Sequence, residues 1–179
     1  MPARARSSRY ADRAAVNALG LFEMGSEMKK LKNKSNSRFD TNLAEAKILN
    51  DLLPMQREFV CNWEQRYLLY VGGLGAGKSY SSVVKSILLA FRSQGEQHLY
   101  LEPTYTMINQ VALPTWMKVL DRYDIPYTYR TAPSPIITLK LPKGDTKILL
   151  LPLLNYDRLV GINAASLVID EADTVKQEI

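Results

Sequence analysis

An α/β fold with a mainly parallel central sheet is predicted, and three observations predict it. Short apolar runs of strand length alternate along the chain with segments of helical period. One such run, Tyr67–Val71, leads directly into a glycine-rich loop followed by a helical pattern. Another, Ser166–Ile169, ends in the adjacent acids Asp170 and Glu171, as a buried parallel strand does at the edge where open sheets bind ligands.

The elements follow in order. Thr41–Leu53 carries Leu43, Ala46, Ile48, Leu49 and Leu52 and reads as a helix stopped by Pro54. Met55–Trp63 reads as a second short helix leading into the Tyr67–Val71 strand. After the glycine loop, Ser79–Phe91 lacks Gly and Pro and repeats Val83, Val84, Ile87, Leu88 and Phe91 at helical spacing. His98–Leu101 is a strand ended by Pro103, and Met107–Tyr123 is helical, with Pro114 at an N-terminal position or a kink. Ile136–Leu141 and Lys147–Leu153 flank Lys143-Gly144-Asp145, a hairpin turn. Asn155–Ala165 is a loop before the acid-tipped strand, and no internal repeat is present.

Residues 72–79 read Gly72-Gly73-Leu74-Gly75-Ala76-Gly77-Lys78-Ser79, a complete match to G-x-x-x-x-G-K-[ST]. Glycines let consecutive backbone N–H groups curl around an anion, and a helix N-terminus adds partial positive charge. Lys78 is then placed to reach β- and γ-phosphates, and the Ser79 hydroxyl to hold Mg²⁺. Asp170 suits the same Mg²⁺, directly or through water, and Glu171 suits a base that polarises the attacking water. Neighbouring strand residues point to opposite faces, so the two carboxylates can take different tasks. The pattern describes a P-loop NTPase domain of the additional-strand type acting on ATP.

Composition limits the alternatives. No stretch is apolar and long enough to span a membrane. Cys61 and His98 are the only residues of their types, which excludes a disulfide framework and a Cys/His zinc site. The charge of +5 is uneven: residues 1–38 hold nine basic residues against three acids, a net +6, and the remainder is −1. The head, 1–38, is therefore a basic arm or linker, with a short helix around Ala14–Leu31. It either touches nucleic acid or serves as a solubilising arm. Residues 39–179 form the ATPase domain.

Four segments together resemble the N-terminal ATPase domain of phage terminase large subunits, which drive DNA into capsids. Leu53-Pro54-Met55-Gln56-Arg57-Glu58-Phe59 is similar to the adenine-recognising segment of that family. Its amide, on Gln56, can pair with both the N6 donor and the N7 acceptor of adenine, although a surface glutamine is the commoner reading. The loop Gly72–Ser79 is the second segment, and Glu102-Pro103-Thr104-Tyr105 resembles the family's Pro-Thr-Tyr segment. Arg158-Leu159-Val160-Gly161 followed by Ser166–Glu171 completes the set, with the likeness running from about Leu43 to the C-terminus. The resemblance implies ATP and Mg²⁺ as cofactors, and double-stranded DNA, the capsid portal and the small terminase subunit as partners. It also implies a homo-oligomeric ring, no membrane, and the cytoplasm of the infected bacterial host.

The sequence departs from the family at two places. Many terminases carry an arginine inside the loop where this chain has Leu74. The resemblance makes Arg158 the substitute, acting on a neighbour's ATP, unless it merely pairs with an acid such as Asp157. The chain also reaches Ile179 just past the acidic strand, whereas terminases continue into a coupling segment and a nuclease domain. The expectation is a domain incomplete at its C-terminus. Asp170-Glu171-Ala172-Asp173 also spells the acidic motif of DEAD-box helicases, and a non-catalytic nucleotide-binding assembly fragment is a third reading.

Overall fold

The structure, a computed structural model, describes residues 39–154 and 159–174. The basic head, with the helix expected in it, and Arg158 lie outside the described residues. Helix α1 (Thr41–Asp51) starts at Asp40, whose carboxylate accepts from the N–H groups of Asn42 and Leu43 at 2.9 and 3.2 Å. It stops because Leu53 precedes Pro54 and is driven to extended backbone. Pro54 then opens α2 (Pro54–Cys61), where its missing N–H costs nothing. Helix α3 (Lys78–Arg92) follows the glycine loop and buries Val83, Val84, Ile87, Leu88 and Phe91, the residues its periodicity marked.

Strand β1 (Gln97–Glu102) comes next, then a helical turn (Tyr105–Met107), a π-helical stretch (Ile108–Ala112) and α4 (Leu113–Arg122). The π-helical stretch is the answer to Pro114. Proline would strike the carbonyl four residues back, and the wider turn, with Leu113 N–H donating to Ile108 O, moves that carbonyl aside. Strands β2 (Tyr127–Arg130), β3 (Ile136–Leu141), β4 (Gly144–Pro152) and β5 (Ser166–Ile169) complete the fold. The β3–β4 hairpin forms, but it turns at Pro142-Lys143, so Gly144 and Asp145 of the expected turn already belong to β4.

The sheet has five strands in the order β2-β3-β4-β1-β5. It is mixed, not mainly parallel. Pairs β4–β1 and β1–β5 are parallel, and β2–β3 and β3–β4 are antiparallel. The hairpin adds two strands without a crossover, which is how an antiparallel flank attaches to a parallel centre. Every residue of β1 after Gln97 is buried, as expected of a strand covered on both faces. Beneath it Tyr100 meets Trp116 of α4 edge-on, with ring centroids 5.6 Å apart, in the middle of the core.

The second correction concerns Tyr67–Val71, which is not a strand. Tyr67, Leu69 and Val71 are each about four-fifths exposed, and Tyr70 instead stacks on Phe59 at 4.9 Å. A strand gains from its ladder and from burial of its faces together. Among the described residues nothing covers the face of β5 bearing Leu167 and Ile169, both exposed, so alternation in 67–71 finds no second layer. The segment just upstream is fastened differently. Lys85 donates to the carbonyls of Val60 and Asn62 at 3.0 and 2.7 Å, and both Lys85 and Arg92 lie over the Trp63 ring.

Candidate functional site

Topology brings the glycine loop and the acids to one edge. Helix α3 climbs about 22 Å over its fifteen residues, and β1 runs back roughly 20 Å after a short turn. The start of α3 and the C-terminal end of β1 therefore lie at the same edge of the sheet. Strand β5 is parallel to β1, with Leu101 opposite Ile169, so Asp170 ends beside Glu102. The Asp170 N–H donates to Leu101 O at 2.9 Å and continues the ladder by one step. Helix α3 also packs on β5.

The loop itself is open. Leu74 is fully exposed and Gly73 and Gly75 are exposed. Gly75 and Gly77 have φ of 75° and 76°, in the left-handed region that favours glycine. At Gly77 the need is also steric, because a Cβ there would stand 2.4 Å from the Gln56 side-chain nitrogen. Lys78 folds back over the loop, its ammonium donating to Gly72 O at 3.1 Å and Gly73 O at 3.4 Å. The Ser79 hydroxyl has no hydrogen-bond partner among the described residues, whereas the Ser81 hydroxyl is spent on Gly77 O.

Gln56 is not a surface residue. It is buried against the loop, and its amide oxygen accepts from Leu53 N–H at 3.1 Å. That bond caps α2 and leaves the amide nitrogen turned towards Gly77. Thr104, in the segment after β1, caps the next helical turn by accepting from Met107 N–H at 3.2 Å. His98 sits between the hydroxyls of Ser93 and Ser166, and burial lowers its pKa, so it is a structural neutral imidazole.

The acidic side is more deeply buried. Asp170 is 3% exposed and accepts from the Tyr100 hydroxyl at 3.1 Å and from Glu171 N–H at 3.2 Å. Glu171 has a positive φ of 50°, an uncommon conformation for a non-glycine residue, which turns the chain sharply off the strand. Sequence reasoning quoted Glu102 without giving it a task. It is the last residue of β1 and wholly buried. Its signal was available, since His98-Leu99-Tyr100-Leu101-Glu102 is also an apolar run ending in an acid. Burial, then the charges of Asp170 and Glu171, push the Glu102 carboxyl up to about 8.

This shift has a stability consequence. The folded state holds the Glu102 proton up to about pH 8, while the unfolded chain releases it near the ordinary 4.5. Between those values the folded state binds more protons, so its stability falls as pH rises. In metal-free buffer Glu102→Gln is expected to melt with wild type near pH 5. Near pH 8.5 it should melt roughly 5–10 °C higher, for a relieved cost of a few kcal/mol. Parallel melting curves across the pH range check this.

The loop, the lysine, the free serine hydroxyl and the buried acids are the donor and acceptor set that a nucleotide–Mg²⁺ complex needs. Among the described residues no three His, Cys, Asp or Glu side chains converge on a metal without help. The ion would be held by Ser79 and Asp170 with phosphate oxygens and water, as Mg²⁺ usually is. A separate cavity of about 280 Å³, lined by Tyr105, Arg130, Ile136, Leu151 and Leu159 among others, includes no residue of the loop or the acid pair.

The fold and site thus define an α/β protein with a glycine-loop helix and buried acids at one sheet edge. The chain is distantly similar to the PBSX phage terminase large subunit of Bacillus subtilis (strain 168), 26% identical over 132 residues. The match covers 73% of this chain and 30% of that protein. No family model and no solved structure matches. No helix among the described residues is long and apolar enough to cross a membrane.

Proposed function

We propose that residues 39–179 are an ATP-binding and ATP-hydrolysing domain of the P-loop, additional-strand type, related to the motor of a viral DNA-packaging terminase. What supports this reading is a complete glycine loop running into α3, a helix that packs on β5, together with buried Asp170 and Glu102 side by side at the C-terminal ends of β5 and β1. The distant likeness to a terminase large subunit points the same way. When bound, ATP would supply the phosphoanhydride and Mg²⁺ the positive charge that stabilises it.

The chain's own residues do the rest. Backbone N–H groups of Gly73–Ser79, with the α3 N-terminus behind them, hold the phosphates. Lys78 leaves the carbonyls of Gly72 and Gly73 and neutralises charge that grows on phosphate oxygens. Asp170, fixed by Tyr100, holds its carboxylate ready for the cation with Ser79. Glu171 orients the attacking water. Gln56 contributes its amide nitrogen beside the loop, and Arg158 is proposed as the cation supplied to a neighbouring chain. Leu74 leaves the loop without a charge of its own at that position.

Double-stranded DNA, a capsid portal, the small terminase subunit and a ring of copies are the partners this reading proposes, in the host cytoplasm. The test is ATP hydrolysis by the purified chain with duplex DNA, RNA or neither added. Turnover raised by duplex DNA is expected. RNA-dependent unwinding would mark a helicase instead, and saturable ATP binding with no turnover under any condition would mark a nucleotide-binding assembly module.

A further inference from the structure

We propose that Glu102 is a positioning residue for the divalent cation, its carboxylate accepting hydrogen bonds from water molecules that the cation carries. The inference rests on the nucleotide reading above. It starts from an orphan: Glu102 is fully buried, and neither of its carboxylate oxygens has a hydrogen-bond partner among the described residues. Buried polar atoms are nearly always satisfied, and a buried carboxyl without a donor is costly enough to require a reason.

The position supplies one. Tyr100 and Glu102 are two apart on β1 and share a face of the sheet. The Tyr100 hydroxyl reaches Asp170, so the Asp170 carboxylate lies on that face as well. Val168 is opposite Tyr100 and packs on the core that α3 helps to form, which makes this the face of the glycine-loop helix. Glu102 is therefore beside Asp170 on the face against which α3 packs.

Whether Glu102 is protonated or not, what fills the orphan must donate to at least one of its oxygens and must tolerate two acids beside it. An anion is excluded on charge. Among the described residues no donor is left over: the Tyr100 hydroxyl is already given to Asp170, and the Lys78 ammonium lies on the loop carbonyls. A hydrated cation meets both needs. Mg²⁺ bound through one or two carboxylates and phosphates keeps several of its waters, and those waters are strong donors. The acids do not by themselves form a three-ligand cage, which favours contact through water over direct ligation. Groups that hold a metal's ligands in this way typically change its affinity by about 10–100-fold when removed.

The experiment is ATP binding to the full chain in Mg²⁺ and in EDTA, for wild type, Glu102→Gln and Glu102→Leu, with a melting curve for each protein in EDTA. The quantity read is the ratio of the two dissociation constants. Affinity in EDTA should stay within about twofold of wild type, while the gain from Mg²⁺ falls about tenfold or more. The loss should be larger for leucine than for glutamine, whose amide oxygen can still accept. Melting temperatures no lower than wild type in EDTA are expected for Glu102→Gln, because a buried acid among acids is removed. A folded Glu102→Gln and Glu102→Leu that both keep the full Mg²⁺ gain would overturn the inference alone. Equal loss in Mg²⁺ and EDTA would also overturn it, by making Glu102 a structural residue. A wild type that binds no ATP in either buffer would overturn the nucleotide reading and this inference with it.

Discussion

Glu171→Gln is expected to leave ATP affinity within about twofold of wild type and to lower turnover by roughly 10²–10⁴-fold, the usual contribution of a positioned acid–base group. The amide keeps the shape and loses the charge that polarises water. Glu171 stands just past the end of β5, where its N–H donates to Asp170, a bond that glutamine keeps. Its positive φ is a backbone property that glutamine inherits. Paired measurement of ATP binding and single-turnover hydrolysis checks the expectation. A parallel loss of affinity would move Glu171 from water activation to metal binding or folding.

Lys78→Ala carries the second large effect. Removing one charge-assisted contact to phosphate is expected to weaken ATP binding by about 10–100-fold. Turnover should fall by a further factor of roughly 10²–10³, as when a preorganised donor is lost from a developing anion. The fold has little stake in this side chain, which is half-exposed and bonds only to the carbonyls of Gly72 and Gly73. Melting should therefore stay close to wild type. A folded Lys78→Ala protein with unchanged affinity would remove the loop from the site.

The elements that carry the proposed site were legible in the sequence because they are local. The glycine spacing, the lysine and serine at its end and the apolar stripe of α3 are contiguous, and the helix formed where they said. The acid-tipped strand β5 was legible for the same reason, though not its exposed face, and the β3–β4 hairpin was legible to within two residues of its turn. Partnership between strands was not. Tyr67–Val71 has the right alternation, yet alternation carries no information on whether an edge or a covering layer is present for it. The antiparallel flank β2–β3 hides behind strands that read the same in either direction. Glu102 was overlooked because its meaning depends on register: only the pairing of β1 with β5 puts it beside Asp170. Gln56 looked like a surface residue because its burial comes from contact with Gly77, twenty-one positions away.

The measurement that bears most directly on the proposed nucleotide site is the backbone amide spectrum of the ¹⁵N-labelled chain, followed as ATP and Mg²⁺ are added. The account predicts that the largest shifts fall on the N–H groups of Gly73–Ser79, with a second set at Glu102 and Asp170 that appears only when Mg²⁺ is present. Shifts confined to the cavity bounded by Tyr105 and Arg130, or no saturable shift at the loop, would contradict it.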